Sequence, residues 1–192
     1  TNVDRPGVTP SERSLTGKLE AAFQRSRGRI LVATFASHLH RIQQIMDAAV
    51  ATGRVVATLG LSMKKNVRMG RDLGIITIPD ASLVDIDDID QYPPGKVCIV
   101  STGSQGEPMS ALTLMAANES RWLRLTPDDT VILSSHPIPG NEMNVSKVID
   151  GLVRIGVEVV HSGIEDVHAT GHAKALALSY AELALGIAPL IA

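Results

Sequence analysis

Short apolar runs recur along this chain, and each hands over to a polar loop and then to an amphipathic helix. The runs are ILVATF from Ile30 to Phe35, Val55 to Leu59, Val97 to Val100, Val131 to Leu133 and Val157 to Val160, with a weaker one at Ile75 to Ile78. They are continuously apolar rather than alternating, the pattern of strands covered on both faces. Between them lie helical spacings: Leu39, Ile42, Met46 and Ala49, and later Val145, Val148, Ile149 and Leu152 within Asn141 to Ile155. A short basic helix carries Lys64, Lys65 and Arg68, and another helix carries Leu112 and Met115. Strand and helix alternating in this way predict an α/β fold: three layers, with a mostly parallel, Rossmann-like sheet flanked by helices.

The first residues, TNVDRPGVTPSE, read as a polar loop leading into a helix. Thr9, Pro10 and Glu12 have the spacing of a capping box with proline in the first turn. Leu15, Leu19, Ala22 and Phe23 then share one helix face. Arg25, Arg27 and Arg29 follow as either a solvated helix end or an RNA-facing edge. Asp85 to Asp90, DIDDID, reads as a solvated helix or loop, since it lacks the glycine and spacing of a calcium loop.

With 192 residues, 44% of them hydrophobic, the chain has enough apolar side chain for a sizeable core. The formal net charge of −2 argues against a strongly basic nucleic-acid surface but leaves room for a local basic patch. Aromatic residues are only 3%, so stacking many bases on rings is excluded as a binding mode. The single cysteine, Cys98, falls in an apolar run and reads as a small core residue. No disulfide framework, signal-peptide pattern or long uncharged apolar segment is present in the sequence, so the expectation is a cytoplasmic chain without a membrane partner.

The candidate chemistry lies where strands end. Four polar loops, Thr34 to His38, Thr58 to Ser62, Ser101 to Glu107 and Ser134 to Glu142, would line one edge of a parallel sheet. In KVCIVSTGSQGEPMSAL, Gly103 and Gly106 permit a tight turn, and Pro108 suits the first turn of the following helix. Free amides of Gly103, Ser104, Gln105, Gly106 and Glu107 could then hold a phosphate. The histidines, His38 with His40 and His168 with His172, lack the three or four donors of a zinc site, so no metal is assigned to this chain. Phosphate contact or proton donation suits them better.

Five segments in order, TNVDRPGVTPSE, FASHLHRIQQI, STGSQGEPMSAL, SSHPIPGNE and VHATGHA, resemble ribonuclease J. The resemblance runs from Thr1 to about Ala173 and is to the beta-CASP domain, which covers the metallo-beta-lactamase catalytic domain of these bacterial nucleases and helps clamp single-stranded RNA. It implies an RNA hydrolase with endonuclease and 5′-to-3′ exonuclease action on 5′-monophosphate ends, cutting with two zinc ions. It makes His172 the candidate catalytic residue, acting on the scissile phosphate or the leaving group. It makes His168, Thr170 and the GSQGE loop (Gly103, Ser104, Gln105, Gly106, Glu107) phosphate-binding, with Ser37 and His40 as further RNA contacts. Thr170 stands where the family usually has serine; the hydroxyl is kept.

The family's HxHxDH zinc motif and its later VHGE histidine do not occur in this sequence. The expected division is therefore residues 1–173 as beta-CASP domain and 174–192 as a divergent or truncated segment. The zinc ions would be held by a catalytic domain acting as partner, and the isolated chain would not cut RNA. Alternatives are a non-catalytic nucleotide- or RNA-binding module and a dimerisation module.

Overall fold

The computed structural model describes residues 16–161. The proposed capping box at Thr9 to Glu12 and the segment 174–192 lie outside the described residues. So do His168, Thr170 and His172.

In chain order the elements are α1 (Thr16–Arg25), β1 (Ile30–Ala33), α2 (Leu39–Ala51), β2 (Val55–Leu59) and α3 (Leu61–Asp72). Then follow β3 (Leu83–Val84), β4 (Val97–Ser101), α4 (Ala111–Ala116), β5 (Thr130–Leu133), α5 (Glu142–Ile155) and β6 (Glu158–His161). The six strands form one sheet in the order β3-β2-β4-β1-β5-β6. Every pairing is parallel. The expected α/β sheet with helices on both faces is what the chain forms.

Side chains alternate across the pleat, so each strand serves two cores. Ile30, Val32, Val56, Cys98, Val100 and Ile132 point to one face, where α1, α2 and α3 supply Phe23, Ile42, Ile45, Met46 and Met63. Leu31, Ala33, Ile99, Val131 and Leu133 point to the other, where α4 and α5 supply Leu112, Met115, Val148 and Leu152. That double burial is why the strands read as unbroken apolar runs.

Cys98 is a buried free thiol, and burial pushes its pKa up to about 12. Below pH 9 both folded and unfolded chains keep the proton. Between 9 and 12 only the unfolded chain loses it, so folding stability should fall as pH rises, by about 1.4 kcal/mol per unit. Denaturant titrations of the parent and of Cys98→Ala over this range should diverge, the variant showing the shallower decline.

Two expected elements are placed differently. Ile75 to Ile78 is not a strand; the sheet edge is β3, with Leu83 opposite Val56 and Val84 opposite Ala57. The reason lies in where the backbone bonds of this segment go. The N–H groups of Ile75 and Ile76 both donate to the Gly70 carbonyl at the end of α3. The Gln43 side chain then takes the next residue on both sides, accepting from Thr77 N at 2.7 Å and donating to Thr77 O at 2.8 Å. Ile76 and Ile78 are still buried, by packing under α2 and α3 rather than by pairing.

Pro108 does not open a helix either. Met109 has a positive φ of 63°, which breaks the helical path, and Ser110 closes a separate turn by donating its N–H to Glu107 O. The helix begins at Ala111, capped by Ser110 Oγ, which accepts from Thr113 N. The acidic run became a short 3-10 helix, Ile86–Gln91, with Ile86 and Ile89 buried and its carboxylates outward.

Candidate functional site at the sheet switch point

The strand order puts β1 and β4 side by side although they are far apart in sequence. The chain leaves β1 for α2 on one face and leaves β4 for α4 on the opposite face. Adjacent loops that part in this way open a crevice at the carboxyl ends of the strands, the usual ligand position in open parallel sheets. A cavity of about 310 Å³ lies there, lined by Thr34, Phe35 and Ala36 after β1, Ser62 after β2, and residues from Thr102 to Ser110 after β4.

Its lining is rich in hydroxyls: Thr34, Ser62, Thr102 and Ser110. Thr34 is only 1% exposed, and its Oγ1 has no hydrogen-bond partner among the described residues. An unpaired buried hydroxyl destabilises a fold by roughly 1–3 kcal/mol. A hydroxyl left open at the wall of a crevice is available to a ligand or a water. Met109 adds to this. It lines the same cavity with its left-handed backbone, a conformation that costs a non-glycine residue about 1–2 kcal/mol.

The glycine loop that forms the β4 side is tightly built. Gly106 has φ +66°, and a Cβ there would sit 2.5 Å from the Asn144 backbone at the start of α5. Gly103 has φ +106°, and a Cβ there would meet Ser110 Oγ at 2.5 Å. Ser104 and Gln105 are buried. Gln105 Nε2 donates to His136 O at 2.9 Å and Ser135 Oγ at 3.2 Å, while its Oε1 accepts from Ile138 N at 2.7 Å. It thereby joins the loops after β4 and β5, the two strands that flank β1.

Two of the loop's amides are engaged within the loop itself. Gln105 N donates to Glu107 Oε2 at 3.1 Å, and Gly106 N donates to Gly103 O. The cavity is offered hydroxyls and the Glu107 carboxylate, and the two engaged amides belong to residues outside its lining. Gly103 and Glu107 line it, whereas Ser104, Gln105 and Gly106 are not among its lining residues. Ser37 and His40 are exposed, on the turn after β1 and the first turn of α2. They share this edge of the sheet but not the cavity wall.

Arg29 sits at the other end of the sheet. Its guanidinium meets Asp129 at 2.7 Å just before β1 and β5 begin. The pair engages the Arg29 guanidinium at the amino ends of the strands, away from the cavity. Among the described residues no group of three His, Cys, Asp or Glu side chains comes together as a metal site, so these residues do not fit a zinc pair. No helix among them is long and apolar enough to cross a membrane.

Of the hydroxyls on the cavity wall, Thr34, Ser62 and Thr102 fall within the strand-end loops that the sequence marks as one edge, and Ser110 lies beyond them. Thr34 and Thr102 follow their strands directly, which was the available signal. Ser110 has the cap spacing with Thr113. Nothing local marks Ser62 as reaching the crevice, because that depends on β4 inserting between β2 and β1.

The family model described as ribonuclease J, beta-CASP domain, matches residues 27–152. The chain belongs to the ribonuclease J beta-CASP family. It is 46% identical over 175 residues to the ribonuclease J of Mycolicibacterium smegmatis, covering 91% of this chain and 31% of that protein. It is 44% identical over 173 residues to the ribonuclease J of Thermus thermophilus, covering 90% and 30%. The Helicobacter pylori ribonuclease J is 39% identical over 173 residues, covering 90% and 25%. This beta-CASP chain thus spans about a third or less of the length of the curated ribonucleases J it matches. The matched segment contains both sides of the switch-point cavity.

Proposed function

We propose that this chain is the RNA-holding domain of a ribonuclease J-type RNA-processing hydrolase. The observation that carries the reading is the hydroxyl-lined cavity at the β1/β4 switch point, with the buried Thr34 hydroxyl lacking a partner among the described residues, in a chain of this family. Single-stranded RNA offers such a wall complementary groups. Phosphate oxygens accept from the hydroxyls of Thr34, Ser62, Thr102 and Ser110. The ribose 2′-hydroxyl donates to the Glu107 carboxylate, a contact that favours RNA over DNA. Phe35 and Met109 give the base an apolar surface.

Cleavage belongs to a metallo-beta-lactamase catalytic domain elsewhere in the full-length protein, which holds the two zinc ions and acts on 5′-monophosphorylated ends. Zinc there would activate the attacking water and steady the leaving oxygen. His172, with His168 and Thr170, acts at the scissile phosphate. These finer assignments, and action in the cytoplasm, rest on the family resemblance.

The test combines binding and turnover. The chain should bind a 5′-monophosphorylated RNA oligonucleotide and, with zinc added, leave it uncut. Thr34→Val keeps the shape of the side chain and removes its hydroxyl. We expect RNA affinity to fall about five- to tenfold while the fold becomes about 1 kcal/mol more stable, because a buried unpaired group is gone. Equal RNA affinity in parent and variant would remove the cavity from the binding site. Cleavage that co-purifies with the chain would overturn the division of labour. Mixing with a separately produced catalytic domain should restore cutting; a purely non-catalytic module would not.

A further inference from the structure

A second concavity lies beside the switch-point cavity. It is a groove of about 790 Å³ between α3 and the sheet edge, lined among others by Thr58, Lys64, Arg68, Arg71, Ile76 and Leu83. We propose that this groove carries the single-stranded RNA onward from the cavity, its phosphates following the cationic stripe of α3. The inference rests on the RNA-holding reading above.

Lys64, Arg68 and Arg71 stand at i, i+4 and i+7 of α3 and so form one stripe along its length. Their Cα atoms are about 6 and 4.5 Å apart along the axis, a spacing that successive phosphates of one strand can follow. Arg68 is exposed and engages no ion pair or hydrogen bond among the described residues. Arg71 pairs with Asp80, and Lys64 lies 3.4 Å from the Asp85 carboxylate. Both of these pairs are solvent-exposed contacts of the kind worth only ~0–1 kcal/mol, so a phosphate can displace them. Beneath the stripe, Val67, Ile76 and Ile78 line the groove as nearly buried apolar side chains.

The charges are sorted by the fold. Met63 and Val67 pack α3 onto one face of the sheet. Ile86 and Ile89 pack the acidic 3-10 helix onto the opposite face. Asp87, Asp88 and Asp90 are therefore kept across the sheet from the stripe. The acids at the groove itself are Asp72 and Asp85. The Asp85 carboxylate is held below its usual range, first by the Asp87 N–H and then by Lys64.

Continuity with the cavity comes from the first turn of α3. Ser62 lines the cavity and Lys64, two residues on, lines the groove. A strand leaving the cavity over that turn enters the groove at its Thr58 and Lys64 end, then runs toward Arg71. An RNA too short to pass the turn would not touch the stripe.

That length dependence supplies the experiment. A trinucleotide and a dodecanucleotide, both single-stranded RNA with a 5′ monophosphate, are titrated against the chain over a range of salt. In Lys64→Gln with Arg68→Gln, affinity for the dodecanucleotide should fall about tenfold. The slope of log affinity on log salt should flatten by about 1.4, the share of two phosphate contacts on single strands. Trinucleotide affinity should stay as in the parent. Asp80→Asn frees Arg71 from its ion pair and should tighten dodecanucleotide binding, a gain that a damaged fold cannot produce.

Equal loss for both RNAs, or no loss for either, overturns the groove as an RNA path. So does an Asp80→Asn chain that binds the dodecanucleotide no better. A protein segment as the groove's natural occupant would give that unchanged result. Failure of the trinucleotide to bind the parent chain speaks against the cavity alone, because the dodecanucleotide arm still reads the stripe.

Discussion

Asp129→Ala should destabilise the chain by about 3–5 kcal/mol, the range for removing one partner of a buried charge pair. The Asp129 side chain is 1% exposed. Its Oδ1 accepts from Arg29 N at 3.1 Å and Arg29 Nε at 3.0 Å. Its Oδ2 accepts from the Arg29 guanidinium at 2.7 Å, from Thr126 N at 2.8 Å and from Thr126 Oγ1 at 3.1 Å. One carboxylate thus closes the 126–129 turn and grips the residue that precedes β1. Thr130 N donates to Arg29 O beside it, so the contact fixes where β1 and β5 start relative to each other. Truncation leaves the guanidinium and two N–H groups with nothing in place of the carboxylate. At about 2–4 °C per kcal/mol for a chain of this size, the thermal midpoint should drop by roughly 10 °C. Arg29→Ala with Asp129→Ala should be less damaging than the sum of the two single changes, because the second removes what the first stranded. A midpoint within a few degrees of the parent would mean that the turn holds without the charge pair. RNA affinity measured below the variant's midpoint should be unchanged, since this pin is at the amino ends of the strands and the cavity is at their carboxyl ends.

The sheet was legible because its signal is local and redundant. Each of β1, β2, β4 and β5 is an apolar run with a loop after it, and each helix repeats an apolar stripe. Val145, Val148 and Leu152 are buried as their spacing required. The edge was harder. Ile75 to Ile78 has the composition of a strand, and only the distant Gln43 side chain and the Gly70 carbonyl decide that it is not one. Leu83–Val84, which does pair, is too short to declare itself.

The site was legible as a place and not as an arrangement. Polar loops at strand ends point to one edge once the sheet is known to be parallel. Which loops are neighbours depends on strand order, and no residue between 30 and 101 announces that β4 will lie between β2 and β1. GSQGE illustrates the gap. Its glycines do mark the tight turn, but the amides of Gln105 and Gly106 are spent inside the loop, and its glutamine faces the β5 loop rather than the cavity. The buried Thr34 hydroxyl, by contrast, can be identified only by finding that nothing among the described residues bonds to it.

Gln105→Ala should remove about 2–3 kcal/mol of stability and most of the RNA affinity together. The side chain is buried and makes three hydrogen bonds to the loop after β5, at Ser135, His136 and Ile138. Truncation removes the acceptor of Ile138 N–H and one donor to the His136 carbonyl, part-buried bonds each worth roughly 0.5–1.5 kcal/mol net. It also empties the space the amide filled. The neighbouring Glu107 carboxylate would keep its bond to the residue 105 amide, so the turn itself should survive while the tie between the two loops is lost. Gly103 and Glu107, which line the cavity from this loop, would then no longer be fixed against the β1 exit. Gln105→Glu separates the two consequences. It retains the volume and can still accept from Ile138 N–H, but it cannot donate to the His136 carbonyl. Denaturant unfolding and RNA titration on the same preparations should rank parent, Gln105→Glu and Gln105→Ala in one order for both properties. An alanine variant that loses stability yet binds RNA as the parent does would show that the cavity's shape does not depend on this tie. The loops after β1 and β4 would then be enough to hold the strand.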